Sequence, residues 1–360
     1  MRADVGGGAA SAPRRLAWGL SPREWRDLFA ELGQPAFRVR QVWDWLYVRR
    51  VASFDAMTNL SAALRAELAR RVDLSPWTAV DSVEAGDGVR KLLLECRDGE
   101  RIESVVIPSR DRATVCVSTQ AGCGFGCAFC ATGRCGFDRD LETGEIVGQF
   151  IAASAAAALR PTNVVFMGMG EPMANYDRVM AAVRIFNDAD GLAIGARRLT
   201  LSTCGVVPGI RRLAEEGLQV ELSVSLHAPD DALRSRIMPV NRRWPIADLM
   251  AACRDYTSRT GRIITFEYTL VAGLNDSPGH AAALAGLVLP THGRVNLIPL
   301  SPVAHFDGAA PAPEVCEAFA RRLERSGVNV TLRRSKGGGV AAACGQLRLG
   351  RPAPGAKARS

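Results

Sequence analysis

Cys123, Cys127 and Cys130 fall within one short run of small residues, Gly122-Cys123-Gly124-Phe125-Gly126-Cys127-Ala128-Phe129-Cys130-Ala131-Thr132-Gly133. Thiolates at this C-x3-C-x2-C spacing let a single loop wrap an iron–sulfur cluster. A cubane of four irons needs four protein ligands to saturate it. Three leave one iron open, and an open metal position is what chemistry requires. The glycines permit tight turns around a compact inorganic core. Phe129, between the last two thiols, is placed to shield the cluster from water. A disulfide is disfavoured by the spacing and by the lack of a secretory signal. A structural zinc ion would need a fourth ligand, for which Cys135 is nearby, but such sites prefer two paired C-x2-C knuckles.

Other residues offer polar groups for a bound cofactor. Gly168-Met169-Gly170-Glu171-Pro172 is a tight turn in which backbone groups can meet an amino group closely, with Glu171 supplying charge. Ser202-Thr203, Ser225-Leu226-His227 and the stretch from Asn296 to Ser301 fall at the ends of expected strands. Each alone reads as an ordinary strand end, and together they point at one rim. Two cysteines outside the loop stand out. Cys116 precedes the loop by seven residues on the polar face of its strand, and Cys344 sits in a glycine- and alanine-rich stretch free to bend into a cavity. Cys96, Cys135, Cys204, Cys253 and Cys316 read as inert small residues.

These groups need a scaffold, and the pattern supplies one. From Ala113 onward, candidate strands (113–120, 163–169, 198–204, 219–227, 263–271, 293–299, 329–334) alternate with candidate helices (143–158, 177–188, 207–216, 245–258, 278–288, 313–326). Such alternation means parallel strands with right-handed crossovers. Within 219–227, Glu221, Ser223, Ser225 and His227 share one face, and Val220, Leu222, Val224 and Leu226 the other. An open sheet covered on both sides would be apolar on both faces. A repeated polar face predicts a curved sheet around a wet cavity, a partial (β/α) barrel of about six repeats with its ligand at the C-terminal strand ends.

Upstream, Ser21, Pro22 and Glu24 signal a helix start, with Trp25, Leu28, Phe29 and Leu32 as its apolar face and Gly33 as its stop. Further helices are expected at 39–49 and 61–72. Arg38, Arg40, Arg49 and Arg50 make this unit basic, which suits either a solvated face or RNA contact. Residues 78–108 read as a β-meander with turns at Gly86-Asp87-Gly88 and Asp98-Gly99.

Composition bounds the rest. The 360 residues carry ten cysteines, 48% hydrophobic and 23% charged residues and a net charge of +8. This describes a globular chain with reduced thiols or a metal site, and a basic balance favours a polyanionic partner. No run reaches transmembrane length, so no membrane partner is expected and the cytoplasm is the default location.

The spacing of the three cysteines resembles that of the radical S-adenosylmethionine (SAM) superfamily. The resemblance narrows when the motifs are taken together: Arg112-Ala113-Thr114-Val115-Cys116-Val117-Ser118-Thr119-Gln120-Ala121-Gly122-Cys123, Phe166 to Pro172, Leu201 to Pro208, Ser225-Leu226-His227-Ala228-Pro229 and Ala342-Ala343-Cys344-Gly345-Gln346-Leu347. From about residue 20 to about 348 the chain resembles the RlmN/Cfr family, closest to its RlmN branch. These are radical SAM methyltransferases acting on adenosine in 23S ribosomal RNA.

The resemblance implies an α/β fold: a partial (β/α)6 radical SAM barrel (113–347) behind a small N-terminal helical domain (16–76) and a short β-meander (77–112). A disordered start (1–15) and a basic flexible tail (348–360) flank these. It implies a [4Fe-4S] cluster on Cys123, Cys127 and Cys130, and two SAM molecules per turnover. Gly170, Glu171, Ser202, Ser225, Leu226, His227 and Ser301 are the implied SAM contacts. Cys344 would carry the methyl group, Cys116 would release the product by a transient disulfide with Cys344, and Glu103 would accept a proton. The implied product is adenosine 2503 of 23S ribosomal RNA methylated at carbon 2, with adenosine 37 of transfer RNA as a further substrate. Methylation at carbon 8, or an iron–sulfur RNA-binding protein without turnover, are the alternatives. An electron donor for the cluster is needed, and a monomer is expected. The chain departs from the family pattern at Ser301 (usually Asn), at Cys204 (usually Ser) and at Gly338–Ala341, where acidic residues usually stand.

Overall fold

A computed structural model describes residues 14–303, 305–333, 341–343 and 345–347. Cys344, Gly338 to Val340, the basic tail and all of the expected disordered start except Arg14 and Arg15 lie outside the described residues.

The N-terminal unit begins with β1 (Arg15–Leu16) and helix α1 (Pro22–Glu31). Ser21 and Glu24 close a reciprocal cap, each side chain accepting the other's backbone N–H, and Pro22 needs no partner for its missing N–H. Helix α2 (Arg38–Trp43) runs into a π-helical turn over Asp44–Val48, so the single helix expected there changes pitch midway. Helix α3 (Ala62–Arg71) leads into β2 (Val72–Asp73), which pairs in parallel with β1. Trp18, Trp25, Trp43 and Tyr47 form an aromatic core, with the Tyr47 hydroxyl donating to Trp18 C=O at 2.8 Å. The unit docks on helix α5 (Thr143–Ala156) where Gly19 and Gly144 face each other. A Cβ on Gly144 would lie 2.4 Å from Leu16 Cβ, so any side chain there would force the two bodies apart.

Strands β3 (Trp77–Glu84), β4 (Arg90–Cys96) and β5 (Arg101–Ser109) form the expected meander, its turns made by Gly88 and Gly99 at positive φ. They do not stand apart from the barrel. β5 pairs antiparallel with β6 (Arg112–Cys116), the first barrel strand, so meander and barrel share one ten-stranded sheet. After β6 come a small hairpin, β7 (Gln120–Gly122) with β8 (Phe137–Asp140), and a short helix α4 (Ala131–Arg134) inside it.

The parallel part follows in chain order: β9 (Pro161–Phe166), α6 (Tyr176–Asn187), β10 (Leu199–Thr203), α7 (Val207–Leu213), β11 (Glu221–Ser225), α8 (Asp231–Ile237), α9 (Ile246–Thr260), β12 (Ile264–Leu270), α10 (Pro278–Val288), β13 (Arg294–Pro299), α11 (Pro313–Arg325) and β14 (Asn329–Leu332). Six βα units thus end on a seventh parallel strand. The sheet order β14-β13-β12-β11-β10-β9-β6-β5-β4-β3 is linear, so the barrel stays open. Leu222, Val224 and Leu226 are fully buried toward the helices, while Ser225 and His227 face a cavity. Side chains alternate across a strand, and this alternation is what separates core from site. Among the described residues no helix is long and apolar enough to cross a membrane.

Candidate active site

One cavity opens at the C-terminal ends of β9 to β13. Cys123, Cys127 and Cys130 line it together with Gly170, Glu171, Ser202, Ser225, His227 and Ser301. The residues picked from separate strand ends therefore converge on one space. Leu226 does not join them. Its side chain is fully buried on the opposite face, its N–H donates to Glu267 C=O at 3.0 Å and its C=O accepts from Arg234 at 3.2 Å.

The thiol loop is anchored by its backbone. Cys123 N–H donates to Gly136 C=O at 2.7 Å and Ala128 N–H to Ile237 C=O at 2.8 Å, and Gly126 turns at φ +65°. Burial is the main cause that pushes the Cys123 thiol up to about 12 and raises Cys127 and Cys130 as well. Thiols so buried ionise only when a metal compensates the charge. Among the described residues no three His, Cys, Asp or Glu side chains are grouped so as to hold a single metal ion. Cys135, the would-be fourth zinc ligand, is exposed, with its thiol bonded to Ala131 C=O at 3.3 Å. Three soft thiols along one cavity wall suit a multinuclear cluster better than a lone zinc ion. Phe129 lines the same wall, its ring edge-on to His227 with centroids 4.8 Å apart.

Gly170 sits at φ +95°, and a Cβ there would lie 2.5 Å from Gln120 Cβ, so only glycine lets this turn close on the start of β7. Gln120 in return accepts Glu171 N–H at 2.9 Å. The Glu171 carboxylate is buried and accepts two backbone N–H groups, Met173 at 3.0 Å and Cys204 at 2.7 Å. Burial, the largest influence, still raises its pKa. His227 adopts φ +56°, and its Nδ1 accepts Thr269 N–H at 2.9 Å, which leaves the neutral ring's proton on Nε2. Burial first and the Arg234 cation second lower its pKa to about 3, so the ring is a neutral hydrogen-bond donor at ordinary pH.

A second cavity adjoins the first, sharing Met167 and Ile298 in its wall. Cys116 lines it together with Ala342, Ala343 and Leu347, while Gly345 lines the first cavity. The residues on either side of position 344 thus face two joined spaces, although Cys344 itself lies outside the described residues. The C-terminal segment is strapped to the thiol loop: Ala131 N–H donates to Gly345 C=O at 2.7 Å and the Thr132 hydroxyl to Leu347 C=O at 3.1 Å. Gln346 Nε2 donates to Pro302 C=O at 2.8 Å. Glu103 is a buried group, its carboxylate 3.0 Å from the equally buried Lys91 ammonium. Lys91 Nζ also lies 3.5 Å from Ala341 C=O, which ties this pair to the same segment.

Several site residues escaped sequence reasoning. Glu267 and Thr269 line the first cavity, and Glu267 accepts from Asn296 at 2.6 Å. Their positions in strand alternation were the available signal. Lys91 and the fully buried Arg234 gave none, because both residue types are solvated by default.

The fold and the thiol-lined cavity define a radical SAM protein, and the Radical SAM superfamily profile matches residues 117–285. The profile of the ribosomal RNA large subunit methyltransferase N-terminal domain matches residues 18–74. A Moorella thermoacetica protein named "Probable dual-specificity RNA methyltransferase RlmN" is 46% identical over 340 residues, covering 92% of this chain and 96% of its own length. A Deinococcus deserti protein of the same name is 47% identical, covering 88% and 93%. The crystal structure of a radical SAM methyltransferase from Sphaerobacter thermophilus superposes with a TM-score of 0.90 at 46% identity, covering 93% of this chain and 99% of its own. The chain belongs to the RlmN family of radical SAM RNA methyltransferases. Membership implies a [4Fe-4S] cluster and SAM, and the three thiols and the polar rim fit both.

Proposed function

We propose that this chain methylates carbon 2 of adenosine 2503 in 23S ribosomal RNA, and also adenosine 37 of transfer RNA, with Cys344 as methyl carrier. Carbon 2 of adenine is electron-poor and has no nucleophilic lone pair, so polar methyl transfer has nothing to attack it. Cys123, Cys127 and Cys130 would hold the cluster, which when bound would supply the electron for reductive cleavage of SAM.

The chain's own residues carry the other parts. Cys344 takes a methyl group from a first SAM and, after hydrogen abstraction from that methyl, its carbon bonds the adenine ring. Glu103 would take the proton from carbon 2 while the adduct radical gives up one electron, which would return to the oxidised cluster; burial of Glu103 beside Lys91 keeps competing water away. Cys116, as a thiolate, would attack the Cys344 sulfur; the bond from that sulfur to the methylene carbon breaks, the carbon takes up a proton to become the methyl group, and external thiols then reduce the disulfide. Glu171, Ser202, Ser225, His227 and Ser301 hold the second SAM, with Glu171 accepting from its amino group and Nε2 of His227 donating. Arg40, largely exposed at the surface of the N-terminal unit with only a long 3.7 Å contact to Asp190, offers a cation there to an RNA phosphate.

The observation that carries this reading is the shared cavity wall. Cys116, Ala342 and Ala343 line one space, which shares Met167 and Ile298 with the cavity lined by Gly345 and the three loop thiols. Mass spectrometry of nucleosides from ribosomal and transfer RNA, in cells with and without the chain, tests it. Loss of 2-methyladenosine on deletion is expected. Loss of 8-methyladenosine instead, or no change in either, overturns it.

A further inference from the structure

Arg234, on helix α8, is fully buried, and no ion pair holds it among the described residues. Its guanidinium instead donates to four neutral oxygens: Cys204 C=O at 2.7 Å, Ser225 C=O at 3.0 Å, Leu226 C=O at 3.2 Å and Asn241 Oδ1 at 2.9 Å. Three of these are main-chain carbonyls just at or past the C-terminal ends of β10 and β11, the strands that present Ser202, Ser225 and His227 to the first cavity. A guanidinium does not lose its proton in a protein, so a full positive charge is fixed in the wall.

Its surroundings reach the thiol loop. Cys204 lines the cavity alongside Cys127, and its peptide is gripped at both ends: its N–H donates to the Glu171 carboxylate at 2.7 Å and its C=O accepts from Arg234. Helix α8 also packs on the thiol loop, since Ile237 C=O accepts Ala128 N–H at 2.8 Å and Leu233, Ile237 and Met238 cluster with Cys127, Ala128 and Phe129. Asp231 spends one carboxylate oxygen on Asn241 and on Ile246 N–H, so it braces the amide that Arg234 holds rather than pairing with Arg234 itself. A buried charge of one sign persists where an opposite charge or a dense set of dipoles offsets it. Here the dipoles are present in the fold, and a thiolate-bound cluster would complete the balance.

We propose that Arg234 is a positioning residue with two tasks: it locks the ends of β10 and β11 that hold SAM, and its charge favours uptake of one electron by the cluster. The inference rests on the cofactor reading above. In the step concerned, a low-potential one-electron donor is oxidised and the cluster gains that electron, with no proton moved. A fixed cation nearby stabilises the more negative, reduced state.

The test is a potentiometric titration of the reconstituted full-length protein, followed by electron paramagnetic resonance, with SAM affinity measured calorimetrically. Arg234→Met is expected to lower the ratio of reduced to oxidised cluster at fixed potential about tenfold, a shift of about 59 mV for one electron, and to weaken SAM binding. Arg234→Lys keeps a cation but loses the fork, so the potential should stay near wild type while SAM affinity falls several-fold. If Arg234→Met does not accumulate as folded protein, Arg234→Lys carries the test alone. Wild-type SAM affinity in Arg234→Lys overturns the positioning task. A wild-type potential in folded Arg234→Met, or a potential lowered in Arg234→Lys as far as expected for Met, overturns the electrostatic one. Failure of the cofactor reading looks different: wild-type protein would then bind no iron and show no cluster absorbance.

Discussion

The two adjoining cavities share a wall at Met167 and Ile298, yet they are lined by different chemistry. The first is rimmed by Glu171, His227 and Glu267, each buried and each held by hydrogen bonds, together with three thiols. The second is mostly hydrocarbon (Val89, Ile107, Val165, Ala342, Ala343, Leu347), with Cys116, Thr114 and Arg333 as its polar exceptions. A zwitterionic nucleoside suits the first, because fixed dipoles replace its water. A flat base and a thioether carrier suit the second.

Variants of the two walls should therefore fail in different ways. Cys127→Ala removes one of the three cluster thiols, and both 5′-deoxyadenosine formation and RNA methylation should fall to background, with bound iron lost on chelation. Cys116→Ala leaves the first cavity intact. It should still cleave SAM but accumulate protein covalently joined to RNA, visible as a shifted band in denaturing gels; free, unlinked RNA would contradict the assigned order of events.

A subtler change sharpens the role of the first rim. Glu171→Gln puts an NH2 against one of two backbone donors, leaving a buried N–H without its acceptor. The folded apoprotein should lose about 1–3 kcal/mol in denaturant titration, and SAM affinity should drop. His227 gives a pH signature. Its folded pKa, about 3, lies below the ordinary value of 6.5, so its contribution to stability is complete above the unfolded value and declines as pH falls toward the folded one. Apoprotein stability should include a decline of roughly 1.4 kcal/mol per pH unit through that window, and His227→Asn, which tolerates the left-handed backbone, should flatten it. The smallest effect is expected at the surface. Arg40→Ala should weaken RNA binding modestly and reduce the salt slope by about one, whereas Arg49, already paired with Asp44 and stacked over Trp45, should change it little.

Much of this arrangement was legible in the residue pattern. Spacing marked the three thiols, and alternation in 219–227 separated Ser225 and His227 from Val224 and Leu226, which is why a concave polar face could be expected. The same alternation had placed Leu226 on the apolar face, where the structure finds its side chain. What could not be read were interactions that depend on packing. Helix α8 is too short to announce itself by periodicity, and a buried arginine such as Arg234 looks like any solvated one until its four oxygen partners are in place. Pairing of the meander with β6 is likewise a matter of which edge lies free, which sequence does not record. Glu103 stood out only by family likeness; its burial against Lys91 emerges from the β4–β5 register.

The central claim is that the methyl carbon passes through a cysteine sulfur and is not transferred as an intact group. Reconstituted protein given SAM with a fully deuterated methyl group, followed by mass spectrometry of the modified adenosine and of 5′-deoxyadenosine, tests it directly. Two of the three deuterons should reach the base and one should appear in 5′-deoxyadenosine. A base carrying all three would contradict it.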